Sequence, residues 1–327
     1  IYVIPESDLN DVRVINPRRV GGYGLDAQWN DDFHHALHSL ITGERSGYYQ
    51  DFGRIEYLEK AFREGFVYSG RHSSFRKRRH GNSSKGRPAC QFVVFSQNHD
   101  QVGNRAMGDR LSRHLSFEKL KLAATVVLLS PFIPLVFMGE EYGETAPFHY
   151  FVHHSDKGLI EAVRKGRQEE FAGFDWQEGF PDPQAEETFL ISKIRPEKHL
   201  TGKNGLLFEF YRSLIALRKE IRSLGLFSDK SRCIKIHGFT DKKVIYAEDC
   251  PEKKGIFCLF SFNEKPMKID IVPPAGEWKK AFDTSLSCRE GDGQKTAPPQ
   301  IESDGSGIRI IVRPWSAVVY RLNNPEG

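Results

Sequence analysis

Residues 90–105 read CQFVVFSQNHDQVGNR, and the way this stretch is read decides the fold. Cys90–Phe95 has the β-branched and aromatic content of a buried strand. Asn98, His99 and Asp100 fall where that strand would end, and Gly103 lets the chain turn away. A carboxylate at the carboxyl end of a buried strand is where an α/β barrel keeps its chemistry.

Working outward, two more apolar runs deliver acids in the same way. Ile1–Pro5 (IYVIP) predicts a short buried strand that ends at Glu6 and Asp8 in ESDLND. Ile133–Met138 predicts another, ending at Glu140 and Glu141. Between them, Ser116 is placed to cap a helix running to about Ser130, with Glu118 in its first turn and Pro131 at its end. Apolar strands alternating with helices imply a parallel sheet covered on both faces.

Gly21–His35 reads GGYGLDAQWNDDFHH. Ala27–Trp29 predicts a very short strand, and Asn30, Asp31 or Asp32 can cap a helix beginning near Phe33. His34 and His35 are adjacent, so on a helix they point in different directions. Caps and substrate contacts are therefore a more economical reading of these acids and histidines than a metal site. Ile55–Gly65 carries Leu58, Ala61 and Phe62 at helical spacing. Helical pattern returns in Leu159–Phe171 and in Leu206–Leu224, where Leu207, Phe210, Leu214, Leu217 and Ile221 mark one face. Beyond residue 225 the helical period is lost. Cys233–His237, Val244–Glu248, Ile256–Phe262, Lys268–Val272, Trp278–Phe282, Ile308–Val312 and Ala317–Leu322 predict short strands between turn signals, an all-β sandwich or half-barrel.

The totals exclude several classes. At 327 residues the chain has room for two domains, and a net charge of +4 is too small to argue for nucleic acid. Phe66–Arg87 is basic, with Arg71, Arg76, Lys77, Arg78, Arg79, Lys85 and Arg87 around Phe75. With no second basic patch it reads as a solvated loop. Leu120–Gly139 matches a membrane span in length, but Lys121, Pro131 and Pro134 make it a helix, a turn and a strand. The five cysteines (Cys90, Cys233, Cys250, Cys258 and Cys288) are odd in number and lack C-x-x-C spacing. Reduced thiols and a cytoplasmic location are expected. The start at Ile1, inside an apolar run, suggests a piece of a longer protein.

Pro5–Asp11 (PESDLND), Gly21–His35, Phe75–Gly81 (FRKRRHG), Ser96–Arg105 and Phe137–Gly143 (FMGEEYG) together resemble the malto-oligosyltrehalose trehalohydrolase family. That family is a branch of the α-amylase superfamily of (β/α)₈ glycoside hydrolases. Leu159–Trp176 and Pro181–Lys193 resemble it as well. Asn-His-Asp alone marks only the superfamily; ESDLND followed by GGYGLDAQWNDDFHH is far more specific. The likeness covers most of Ile1–Leu224, and the β region carries none of its motifs.

The resemblance implies an incomplete TIM barrel in residues 1–224, holding about strands five to eight, then a β-sandwich-like domain in 225–327. It implies a retaining glycosidase acting on malto-oligosyltrehalose or maltodextrin. Glu6 matches the general acid/base at the end of the fifth strand. Asp100 matches the transition-state stabiliser at the end of the seventh, and His99 the sugar ligand beside it. The nucleophilic Asp belongs at the end of the fourth strand, upstream of Ile1. The isolated chain is therefore expected to be inactive, and its unpaired sheet edges prone to aggregate. Trp29 is expected to stack on a glucose ring or simply to pack. Asp31, Asp32, His34 and Arg105 are expected to line the cleft, with Asp8, Asn98, Gln101 and Glu141 as further substrate contacts. No metal and no cofactor is needed, because Glu6 activates the water. The rival readings are another α-amylase relative, such as a glucan branching enzyme, and a non-catalytic glucan-binding fragment.

Overall fold

The computed structural model describes residues 1–171, 181–228, 234–251, 254–285 and 297–323. Cys233, Cys288 and the end of the Leu159–Trp176 stretch lie outside the described residues.

The first part of the chain runs β1 (Gln28–Trp29), α1 (Asp31–Thr42), α2 (Ile55–Glu64), the hairpin β2 (Arg71–Ser73) and β3 (Arg78–His80), and β4 (Phe92–Val94). It continues with α3 (His99–Gly103), α4 (Leu111–His114), α5 (Phe117–Leu128), β5 (Ile133–Pro134), α6 (Lys157–Phe171), α7 (Glu186–Ile191) and α8 (Gly202–Ser223). β4 lies between β1 and β5, parallel to both, with Trp29 opposite Val93 and Val94 opposite Pro134. All of Phe92–Phe95 is buried. The continuous apolar run thus reports a strand covered on both sides.

Two expected strands are shorter than their sequences suggest. Ile1–Pro5 forms none. It runs beside β1, where Asp26 N donates to Val3 O at 3.1 Å and Trp29 N to Pro5 O at 3.3 Å. Ile1, Tyr2, Val3 and Ile4 are nevertheless exposed, so the run lacks the burial that would lock a strand. β5 holds only Ile133 and Pro134 of the Ile133–Met138 run, with one further bond from Leu135 N to Val94 O at 2.8 Å. A proline has no N–H to extend the ladder.

The helices follow their local signals. Ser116 Oγ accepts from Lys119 N, capping α5 as its sequence predicts, and the helix ends at Leu128 just before Pro131. The α8 guanidinium of Arg218 donates to the carbonyls of Leu128, Ser130 and Phe132, placing a cation on the negative end of α5. On α8 the predicted face of Leu207, Phe210, Leu214, Leu217 and Ile221 is the buried one.

The second part holds β6 (Lys235–Phe239), β7 (Val244–Asp249), β8 (Ile256–Ser261), β9 (Met267–Ile271), β10 (Gly276–Asp283), β11 (Gln300–Ser303), β12 (Ile308–Val312) and β13 (Ser316–Leu322). Six form an antiparallel sheet in the order β11-β10-β13-β8-β7-β6, and β12 pairs with β9. Seven match the expected strands; β11 was missed because Ile301 is its one apolar residue. Alternate residues of β7 and β8 serve two cores. Ile245, Ala247, Cys258 and Phe260 join Phe62, Leu122 and Leu214 of the first part. Val244, Tyr246, Phe257 and Leu259 pack around Trp278 with Ile269 and Ile310. Among the described residues no helix is long and apolar enough to cross a membrane.

Candidate active site

β4 ends in a turn built by Asn98. Its extended backbone leads into α3, and its Oδ1 accepts from Gln101 N at 2.9 Å. This cap satisfies an orphan donor of the first helical turn. Asn98 is 1% exposed, so the expected sugar contact is corrected to an enclosed cap. His99 and Asp100 occupy the first turn of α3 and stay open, with side chains 49% and 44% exposed.

The Ile1–Pro5 run brings Glu6 to the same place. His99 Nε2 lies 3.4 Å from Glu6 Oε1 and 3.6 Å from Asp100 Oδ1. Ligand atoms of all three residues fall within 4.8 Å of one another. A hydrogen bond to Asp100 raises the Glu6 pKa; burial and the Asp100 charge add to the rise, while His99 opposes it. Two carboxyls this close share a proton more readily than they both ionise. Trp29 sets its ring edge-on to Phe95 at 5.5 Å and to His99 at 5.6 Å, and so steadies the imidazole. Among the described residues this trio is also the one set of histidine and carboxylate ligands close enough to share a cation.

More acids flank the pair. Asp31, in the first turn of α1, accepts from Gln101 Nε2 at 3.4 Å. Burial pushes its carboxyl up to about 7, helped by the charges of Asp32, Asp8 and Asp100. Asp8 is bound through Oδ2 to Arg76 at 2.7 Å, and its carbonyl meets His80 Nε2 at 2.9 Å. Of the three possible caps of α1, Asn30 is the one used, accepting from Phe33 N at 3.2 Å.

Asp32 is not in the cleft. It is 3% exposed and accepts from Asn10 Nδ2, Val67 N and Tyr68 N at 2.8, 2.7 and 2.6 Å. Its expected substrate contact is corrected to an internal latch, because one residue further along a helix points about 100° away. Glu140 is also internal, accepting from Ser96 Oγ and Tyr211 OH at 2.8 Å each and tying the end of β4 to α8. Glu141 beside it is half-buried.

His34, Gln101 and Arg105 do come together, but around a separate space. They line a cavity of about 360 Å³ with His38, Glu44 and Gln97. None of Glu6, Trp29, His99 or Asp100 lines it. His34 Nε2 meets Tyr49 OH at 3.0 Å, while His35 packs on Tyr48 with ring centroids 4.7 Å apart. The two rings nevertheless meet edge-on at 5.5 Å and both pack against Tyr49, so adjacency on the helix does not separate them as expected. Burial holds both well below the ordinary histidine range, His35 at about 3. For Glu44, burial works upward, but the bonds from His38 and the charge of Arg105 outweigh it and hold the carboxyl at about 2.

The basic run is more ordered than a solvated loop. Its centre is the β2–β3 hairpin, and Arg76 reaches Asp8 across it. Composition gave no sign of this. The signal lay in FRKRRHG, one of the stretches that carried the family resemblance, set beside the acids of ESDLND.

Comparison with known proteins was made against this geometry. No family model matches the sequence. A malto-oligosyltrehalose trehalohydrolase from Saccharolobus solfataricus is 50% identical over 218 residues, covering 67% of this chain and 37% of that protein. One from Brevibacterium helvolum is 39% identical over 327 residues, covering 98% of this chain and 50% of that protein. A crystal structure described as "Putative alpha Amylase from Salmonella typhimurium" superposes with a TM-score of 0.78 at 32% identity, covering 98% of this chain and 51% of that one. The chain therefore spans half or less of the curated relatives it matches, and the sequence resemblance to that enzyme family is borne out.

Proposed function

We propose that this chain is the C-terminal portion of a malto-oligosyltrehalose trehalohydrolase, a glycosidase of the α-amylase superfamily. In this reading residues 1–224 supply about strands five to eight of a (β/α)₈ barrel, and 225–327 a β domain. The whole enzyme cuts the α-1,4 bond next to the trehalose end of a malto-oligosyltrehalose, releasing trehalose. The observation that carries the reading is the meeting of Glu6, His99 and Asp100 within 4.8 Å, in a chain 50% identical over 218 residues to a member of that family.

The chemistry follows from the carboxyl pair. Protonated Glu6 gives its proton to the glycosidic oxygen as the bond to the anomeric carbon breaks. An Asp supplied from upstream attacks that carbon and holds the glucan as a covalent ester. Glu6, now a carboxylate, takes a proton from the water that opens the ester. Asp100 accepts hydrogen bonds from sugar hydroxyls that tighten as the ring flattens, and His99 donates to the same sugar. The raised pKa of Glu6 keeps the acid form available for the first step.

Product analysis tests the reading. Extended upstream to a complete barrel, the protein is expected to release trehalose from malto-oligosyltrehalose and to act little on uncapped maltodextrin. Glucan transfer without trehalose release would make it a branching-type enzyme. Residues 1–327 alone are expected to hydrolyse neither substrate; trehalose release by them would place the nucleophile within this chain.

A further inference from the structure

We infer that the cavity between α1 and the α3–α4 segment is a second, separate binding site, shaped for one neutral polyol of monosaccharide size. The inference does not rest on the reading of Glu6 as proton donor.

The cavity holds about 360 Å³, at the lower end of the range for small-molecule sites. Its lining runs from His38 and Gln101, both buried, to Gly43 and His114, both exposed, so a ligand has a way in. Val102 and Leu111 add apolar surface of the kind that meets the carbons of a sugar ring.

Many polar groups of the lining bind one another. Gln97 Oε1 accepts from Leu111 N at 2.8 Å, and Ser96 Oγ donates to Glu140 at 2.8 Å. Thr42 Oγ1 donates to His38 O at 2.7 Å and accepts from Glu44 N at 3.1 Å. Glu44 Oε2 accepts from Arg105 Nη1 and from His38 Nε2, each at 2.9 Å. His38 Nδ1 and Gln101 Oε1 are not satisfied in this way. They have no hydrogen-bond partner among the described residues, although His38 is only 7% exposed and Gln101 8%.

The far end of each side chain sets what these two atoms need. Glu44 is ionised at neutral pH and can only accept, so His38 Nε2 carries the proton. Burial holds His38 below the ordinary histidine range against the pull of Glu44, and Nδ1 keeps its lone pair. Gln101 Nε2 donates to Asp31 at 3.4 Å, which leaves Oε1 as an acceptor. Buried acceptors left unfilled are costly, so the occupant must bring donors. A fully ionised anion brings none. A cation meets the guanidinium of Arg105 in the wall, and the one carboxylate beside it, Glu44, is already paired with that arginine. A neutral polyol carries hydroxyls that donate to both acceptors and brings no charge to bury.

The acceptors are also fixed in advance. The His38 ring stacks on Tyr49 with centroids 4.3 Å apart and planes 15° from parallel, and its Nε2 is held by Glu44. Gln101 lies within α3, tied to Asp31 on α1. Preorganisation lowers the ordering cost of binding. Joined hydroxyls fill both acceptors in one event, where separate waters must each be immobilised.

Calorimetric titration of residues 1–327 with D-glucose, and separately with inorganic phosphate, tests this, using wild type, His38→Phe, Gln101→Met and His99→Ala. Wild type is expected to bind one glucose and no phosphate. His38→Phe and Gln101→Met should each weaken glucose by about tenfold or more with the unfolding midpoint retained, and His99→Ala should leave it within about twofold. On wild type, nitrogen-15 NMR should show the His38 Nδ1 signal moving as glucose is added, a readout that stands even if neither cavity variant folds. Folded wild type that takes up no glucose overturns the inference, since the cavity then holds only water. Phosphate binding that depends on His38 or Gln101 also overturns it. Glucose affinity lost in His99→Ala but kept in the cavity variants overturns it as well and places the sugar in the cleft, leaving the glycosidase reading standing. A His38 Nδ1 signal unmoved by bound glucose has the same force against the cavity.

Discussion

Carboxylate oxygens of Glu6 and Asp100 lie within 4.8 Å of each other, although one residue follows the run at the start of the chain and the other opens α3. His99 lies within 3.6 Å of both. The proximity of Asp100 raises the Glu6 pKa, and both side chains remain open to solvent.

The first prediction concerns that proton. Asp100→Asn removes the partner that raises Glu6, so the apparent pKa of Glu6, read by carbon-detected NMR titration of residues 1–327, should fall toward the ordinary glutamate value. In a complete barrel, Glu6→Gln should lower the rate by roughly 10²–10⁴-fold. The alkaline limb of the wild-type profile should follow the Glu6 pKa, because activity is lost as the acid ionises. A Glu6 titration indifferent to Asp100→Asn would show that the two side chains do not share a proton.

Asp31 gives stability its own pH dependence. Its folded pKa, about 7, lies above the ordinary aspartate value of 3.8. The folded state therefore binds this proton more tightly than the unfolded state. The associated stability is complete below about pH 4 and is lost as pH rises to about 7. Asp31→Asn should flatten that decline, leaving the variant more stable than wild type at pH 8 by on the order of 2 kcal/mol. Urea unfolding at pH 4, 6 and 8 measures it; parallel curves for the two proteins would mean that Asp31 ionises freely.

Asp32 should behave in the opposite way from a binding residue. Asp32→Ala strands the buried donors Val67 N, Tyr68 N and Asn10 Nδ2, and should cost roughly 3 kcal/mol or more of stability. Wherever the variant remains folded, maltotriose affinity should stay within about twofold. Loss of sugar binding with the unfolding midpoint unmoved would return Asp32 to the cleft.

Adjacent acids with opposite fates show where reading a sequence stops. Asp31 and Asp32 have the same chemistry and the same local pattern. Only the rotation of α1 sends one toward Asp100 and the other under Tyr68. Asn98 is similar: the sequence marks it as polar at a strand end, and the fold turns its amide inward as a cap. Ile1–Pro5 reads as a buried strand from composition, yet Ile1, Tyr2, Val3 and Ile4 are exposed, because burial depends on what packs over a run and not on its own residues.

What the sequence by itself determined was everything with a local cause. The cap at Ser116, the buried stripe of α8, seven of the eight β-region strands and the arrival of Glu6 and Asp100 at the ends of apolar runs all follow from residues within a few positions of one another. Only the tertiary structure decided which polar side chains share a groove, that Arg76 meets Asp8, and that His34 and Arg105 border a different cavity. Those outcomes depend on helix rotation and on contacts between residues distant in sequence. Spacing along the chain encodes the direction of a side chain within its own element, and packing between elements encodes what that side chain meets.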